Sequence, residues 1–271
     1  MDPIESQDLT LKYDTRVVID GLNLAIPRAK ITVLVGSNGC GKSTLLKSFA
    51  RLIRPSQGTV LLNGKDIHRR STAAVARELA ILPQSPAAPE GLSVYQLVRL
   101  GRFPHQSWLQ QWSGEDEAIV TQALAQTELT EFQDRPVDAL SGGQRQRAWI
   151  AMTLAQNTDT LLLDEPTTYL DLAHQIEVLD LLYELNATRQ KTIVMVLHDL
   201  NLACRYAHNM VAIANRQVYA QGDPAQVLNA TMVQDVFHLQ SKIVKDPLYG
   251  TPMCIPIGKG IQSAGTDASQ G

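Results

Sequence analysis

Cysteine is scarce in this 271-residue chain: only Cys40, Cys204 and Cys254 occur, and no two form a CxxC pair. That excludes a disulfide framework and a cysteine-based zinc site. Long apolar runs are missing too, with none near the roughly 18 residues that cross a bilayer as a helix. The opening Met1-Asp2-Pro3-Ile4-Glu5 has neither a basic stretch nor an apolar one, so no secretory signal is read and the chain is expected to stay in the cytoplasm. Neither sign of charge dominates. Lys plus Arg number 24 against 27 Asp plus Glu, a formal charge of −3, which gives no electrostatic reason to expect nucleic acid as a partner. No internal repeat is found. What is present is enough chain for one large α/β domain or two small ones, with room for a sizeable core.

Aliphatic and β-branched segments alternate with helical periodicity, the pattern of a mostly parallel sheet flanked by helices. Strands are predicted at Ile31–Val35, Thr59–Leu62, Leu79–Leu82, Thr160–Leu163 and Thr192–Leu197. Asn63-Gly64 predicts the tight turn of a small antiparallel hairpin. One helix is predicted over Thr44–Leu52, with Leu45, Phe49 and Leu52 on one face. A second, after Asp171, would bury Leu172, Ile176, Leu179 and Tyr183 as a single stripe. Asp223 before Pro224 predicts an N-cap with proline at the first helical position. Between Ser85 and Asp138 the character changes. Pro86, Pro89, Pro104, Trp108 and Trp112 precede a helical stretch from Glu115 to Leu129, read as a mostly helical insertion between two sheet-forming halves. Lys259 to Gly271, rich in Gly, Ser and Ala, reads as disordered.

The chemistry begins at Gly36-Ser37-Asn38-Gly39-Cys40-Gly41-Lys42-Ser43, the pattern GxxxxGK[ST] between a predicted strand and a predicted helix. That setting aims backbone N–H groups at a phosphate, and the glycines let the backbone approach it; a side chain at Gly41 is expected to obstruct the wrap. Lys42 can reach the β- and γ-phosphates, and the Ser43 hydroxyl is placed for Mg²⁺. Cys40 reads either as a thiol activated by the helix end or as a small residue that fits. A second element is the apolar run Thr160 to Leu163 ending in Asp164-Glu165. Carboxylates at the C-terminal end of a parallel strand lie where such sheets bind ligands. Asp164 is read as holding Mg²⁺ through water, and Glu165 as polarising the attacking water. The third is Leu140-Ser141-Gly142-Gly143-Gln144, in which Ser141 caps a helix running through Arg145, Arg147 and Ile150 and offers a second anion site.

At this pentapeptide the sequence resembles the ATP-binding cassette family, over about residues 4–239 with an insertion at about 85–155 and a C-terminal extension at 240–271. The resemblance implies a phosphate-loop NTPase fold of RecA-like type. It implies an ATPase with Mg²⁺ as cofactor and residues 36–44, through Thr44, around the phosphates. It also implies roles one residue at a time. Tyr13 would stack on adenine. Gln84 would touch Mg²⁺ and water and link the site to the insertion. Asp171 would belong to the loop after the carboxylates, and His198 would contact the γ-phosphate. Tyr169 departs from the small residue usual before Leu170-Asp171. The Ser141, Gly142, Gly143 and Gln144 end, together with Asp171, would act in trans, so that two ATP molecules join two copies of the chain.

Size and the lack of a fused span resemble the motor subunits of importers, which implies two separate permease subunits, indirectly a substrate-binding protein, and a place on the cytoplasmic face of the membrane. The segment after Gln84 and Gly101-Arg102-Phe103-Pro104-His105 would meet the permease. Trp108 and Trp112 would either add to that contact or form local core. The strings at 101–105, 167–182 and 197–207, with Asp246-Pro247 and Gly250-Thr251-Pro252, resemble motors importing ferric siderophores, haem or cobalamin, with ferric siderophores favoured. A rival class is a non-transport cassette ATPase. It would carry coiled-coil insertions or a second cassette, and neither is present. A cassette that binds without hydrolysing would lack Glu165 or His198.

Overall fold

A computed structural model describes residues 2–106 and 112–258. Two long strands, β1 (Ile4–Tyr13) and β2 (Arg16–Ile26), lead into β3 (Ile31–Val35) and helix α1 (Lys42–Phe49). Strand β4 (Gln57–Leu62) turns into the short β5 (Lys65–Asp66), and α2 (Thr72–Ala76) precedes β6 (Leu79–Leu82). Three helices follow, α3 (Val94–Leu100), α4 (Gly114–Gln126) and α5 (Gly142–Ala155), then β7 (Thr160–Leu163), α6 (Leu172–Arg189) and β8 (Thr192–Val196). After α7 (Leu200–Tyr206) come β9 (Asn209–Ala214), β10 (Gln217–Gly222), α8 (Pro224–Val227), α9 (Ala230–Phe237), β11 (Ser241–Lys245) and β12 (Pro252–Pro256).

The main sheet has the order β10-β9-β3-β8-β7-β6, parallel except for the β10 edge, and a second, antiparallel sheet runs β2-β1-β4-β5. This is the mostly parallel sheet with a small antiparallel part that the sequence predicts. Every residue of β3 and β8 is buried. Period-2 alternation therefore sends side chains into two cores. Ile31, Val33, Leu161, Leu163, Ile193 and Met195 join the helices of the insertion, whereas Leu34, Leu162, Val194 and Val196 join α1 and the antiparallel sheet. A slip of one residue would exchange the two sets, so register is strongly specified. The Asn63-Gly64 turn is as predicted: both residues have positive φ, 49° and 73°, between the paired Leu62 and Lys65.

In the insertion, three capping boxes set the helix starts, pairing Ser93 with Gln96, Ser113 with Asp116, and Ser141 with Gln144. A buried ion pair binds the helices together. Arg102 Nε donates to Asp116 Oδ1 at 2.7 Å and its Nη1 to Ala155 O at 3.0 Å. Burial acts most strongly on the Asp116 carboxyl and would raise its pKa, but the Arg102 and Ser113 hydrogen bonds outweigh it and hold the group below the usual range.

Three expectations need correction. α1 ends at Phe49 and Arg51 turns left-handed (φ 63°), so Leu52 is exposed instead of sharing the face of Leu45 and Phe49. In α6 no residue before Val178 is buried. The stripe is Val178, Leu179, Leu182 and Leu185, while Leu172 and Tyr183 are exposed and Ile176 is half-buried. Tyr183 stacks on His208 with ring centroids 5.8 Å apart. α4 stops at Gln126 because Glu128 is left-handed (φ 56°), although Leu129 is still fully buried. The β11–β12 hairpin was not foreseen. It is tied down by Arg205 on Asp246 (2.9 Å) and by Asn201, whose amide pairs with both backbone groups of Cys254. Cys204 is buried beneath it, and burial pushes its thiol up to about 12. Asp223 caps α8 ahead of Pro224 as predicted.

Trp112 is half-buried against the insertion core; its indole Nε1 donates to Glu117 Oε2 at 3.1 Å and Arg99 lies 4.2 Å over its ring. Trp108 and Lys259–Gly271 lie outside the described residues.

Candidate nucleotide site

Gly36 to Ser43 bridge the end of β3 and the start of α1. Gly41 is the N-cap of α1 at φ 108°, a left-handed backbone that glycine adopts freely. A Cβ there would also come within 2.9 Å of Ile19 Cδ1 and 3.0 Å of Val18 Cγ1 on β2. With no side-chain cap at this end, the first N–H groups of α1 are left for a ligand, and the helix dipole favours an anion. Lys42 is buried and lies along the loop, its Nζ donating to Gly36 O (2.8 Å) and Ser37 O (3.0 Å), with Cys40 Sγ at 3.9 Å.

The loop meets the carboxylates of β7. Ser43 Oγ donates to Asp164 Oδ1 at 2.7 Å. Asp164 is 1% exposed, and its Oδ2 is buried with no hydrogen-bond partner among the described residues. Burial pushes its carboxyl above the ordinary range, against the pull of Ser43. Glu165 stands in a left-handed conformation (φ 54°), which costs about 1–2 kcal/mol for a residue with a side chain. Its carboxylate is held from several sides. Oε2 accepts from Gln84 Nε2 (2.7 Å) and Thr168 Oγ1 (2.9 Å), and His198 Nε2 stands 2.7 Å from Oε1. Burial alone would raise the Glu165 pKa, but the bonds from His198, Thr168 and Gln84 carry it below the usual value.

A cleft of about 740 Å³ joins these groups, within the usual size of small-molecule sites. Its walls include Tyr13, Asn38, Gly39, Gly41, Lys42, Ser43, Thr44, Gln84, Glu165 and His198, all foreseen, while Ser37 and Cys40 face a separate hollow behind the loop. Arg16, Thr168 and Tyr169 also line it and were not foreseen as site residues. Thr168 has a legible signal in its spacing of three from Glu165. Arg16 has none, since only the β1–β2 pairing sets it opposite Tyr13.

The structure does not bring Ser141, Gly142, Gly143, Gln144 or Asp171 to this cleft. Ser141 Oγ accepts from Gln144 N at 3.3 Å, and Ser141 N donates to Gln144 Oε1 at 3.2 Å, at the exposed start of α5. Asp171 caps α6, its Oδ1 accepting from His174 N at 3.0 Å.

Residues 19–168 match the ABC transporter family. The chain belongs to that family. The achromobactin transport ATP-binding protein CbrD of Dickeya dadantii (strain 3937) is 66% identical over 259 residues, 96% of this chain and 96% of its own length. The iron(3+)-hydroxamate import ATP-binding protein FhuC of Bacillus subtilis (strain 168) is 50% identical, covering 94% of this chain and 95% of its own. A solved ABC transporter described as of metal-chelate type, in an inward-facing conformation, superposes with TM-score 0.83 at 28% identity over 96% of this chain and 99% of that one. A dimeric bacterial cassette superposes with TM-score 0.72 at 26% identity over 81% and 98%.

Proposed function

We propose that this ABC cassette is the ATP-hydrolysing motor of a ferric-siderophore importer, working as two copies beneath two separate permease subunits on the cytoplasmic face of the membrane. One observation carries the hydrolytic part. The ionised Glu165 carboxylate, gripped by Gln84, Thr168 and His198, faces the same cleft as Lys42 and Ser43. A base so held can orient a water and take its proton, an effect worth about 10²–10⁴-fold in rate. The loop N–H groups and Lys42 take the phosphates, and Tyr13 offers a face to adenine.

The residues fit Mg²⁺. A buried carboxylate oxygen without a partner, beside a hydroxyl, is the sparse oxygen donor set that Mg²⁺ takes when substrate phosphates complete its shell. Ser43 and Asp164 would hold it, with Gln84 bordering, and when bound it neutralises charge developing on the phosphates. The Ser141–Gln144 end and Asp171 lie away from their own cleft, which supports their closing on the nucleotide of a second copy, as does the likeness to a dimeric cassette. ATP then favours the pair because only the pair contacts it from both sides. Hydrolysis removes those contacts.

No described helix is long and apolar enough to cross a membrane, and the import reading places the spans in permease subunits. A hollow lined by Leu92, Gln96, Arg99, Leu100, Phe103 and Gln106, with Phe103 75% exposed, suits a short permease helix. The siderophore assignment is supported by the iron(3+)-hydroxamate and achromobactin relatives. The test is co-purification with the permeases, followed by uptake into vesicles offered ferric siderophores, haem and cobalamin. ATP-dependent entry of a ferric siderophore is expected. Entry of haem or cobalamin alone would reassign the cargo, and no ATP-dependent uptake at all would sink the import reading.

A further inference from the structure

His174 lies outside the cleft, yet it touches two of the motifs proposed to act in trans. Its Nδ1 stands 2.7 Å from Asp171 Oδ1, the oxygen that also accepts from His174 N. The ring lies against Gly143: a Cβ built there would fall 2.3 Å from His174 Cδ2 and 3.0 Å from Nε2. Beside it, Leu170 Cδ2 is 4.0 Å from the corresponding point on Gly142. Gly143 sits inside α5 and is not among the residues of positive φ, so contact and not backbone freedom demands glycine there. A side chain at 143 requires the imidazole, which is bonded to Asp171, to shift.

We propose that His174 is a positioning residue that sets the spacing between Asp171 and the Ser141–Gln144 helix end, so that both meet the second copy's nucleotide as one surface. This rests on the trans reading above. The Asp171 side chain is 67% exposed and has few neighbours to orient it. Two bonds converging on Oδ1 fix that carboxylate, and the thickness of the ring fixes its distance from α5.

The test is a double-mutant cycle in the full chain, reading turnover, nucleotide affinity of the single copy, and ATP-driven pairing in the Glu165→Gln background. His174→Ala is expected to lower turnover and pairing about tenfold, and Gly143→Ala at least about 100-fold, with single-copy affinity within about twofold of wild type in both. Combining them gives the new Cβ room, so the double variant should exceed Gly143→Ala by about tenfold. Losses that multiply would overturn the proposal, as would unchanged turnover in His174→Ala. Should Gly143→Ala not fold, His174→Asn keeps the Asp171 bond and His174→Phe keeps the ring. Turnover above His174→Ala in both supports the strut, and turnover equal to it in both refutes it. Ser141→Arg separates the two readings. If it also pairs normally, the trans reading has failed; if it blocks pairing while the cycle is multiplicative, only the strut has failed.

Discussion

The two helix ends proposed to hold ATP are built differently. α1 starts after a left-handed glycine with no side-chain cap, and its first turn opens into the cleft. α5 starts after Ser141, which with Gln144 already satisfies two donors in a capping box, on an exposed surface. An uncapped end in a cleft gains most from an incoming anion, because its N–H groups have no other acceptor. A capped end gains less and is stable without one. On the function proposed above, the first cradle would capture the nucleotide and the second would close on it.

The largest effect should separate both cradles from the chemistry. Glu165→Gln keeps the shape of the side chain but removes the base, so turnover should fall about 10²–10⁴-fold while ATP still binds and paired copies accumulate on a sizing column. Unchanged hydrolysis would mean that the base is elsewhere.

A second change strikes the helical insertion that carries the capped cradle. Asp116→Asn leaves the buried Arg102 uncompensated near the C-terminal end of α5, which costs about 3–5 kcal/mol for a buried pair that loses one partner. The folded pKa of Asp116 is depressed, so its stabilisation is full above the unfolded value near 4 and is lost as pH falls through the folded one. Melting curves should therefore show a wide gap between wild type and variant at pH 7, closing below about pH 4. A gap independent of pH would refute the linkage.

Breaking the bare cradle is the third route. Lys42→Ala removes a charged donor worth about 1.5–3 kcal/mol, so single-copy nucleotide affinity should fall about 10–150-fold by equilibrium titration. An unchanged constant would show that the loop N–H groups suffice.

Both cradles were legible because each is a local string. GxxxxGK[ST] needs only a strand before it and a helix after, and Ser141 to Gln144 cap within three residues. The buried β3, β7 and β8 were equally plain as short aliphatic runs, whereas β9, buried along all six residues, is absent from the strands predicted. What needed the third dimension was less visible. Asp8, with φ 46°, sits where the pairing of β1 shifts register, which spoils the alternation that would have announced the strand. In α6 two overlapping stripes share Leu179, and only the sheet beneath decides that Leu182 is buried and Tyr183 is not. Arg16 enters the cleft by strand pairing, and His174 reaches Gly143 across two helix starts. Neither contact has a spacing to read.

The smallest effect is also the sharpest on the difference between the two cradles. Ser141→Ala removes the cap of α5, costing about 1 kcal/mol, and should lower the melting temperature by about 2–4 °C in a chain of this size. If the hydroxyl also serves an anion on closure, the ATP concentration needed for pairing should rise about fivefold beyond any change in single-copy affinity. A lower melting temperature with pairing unaltered would leave Ser141 a cap and nothing more. Closure would then have to come from the glycine N–H groups and from Asp171 held by His174.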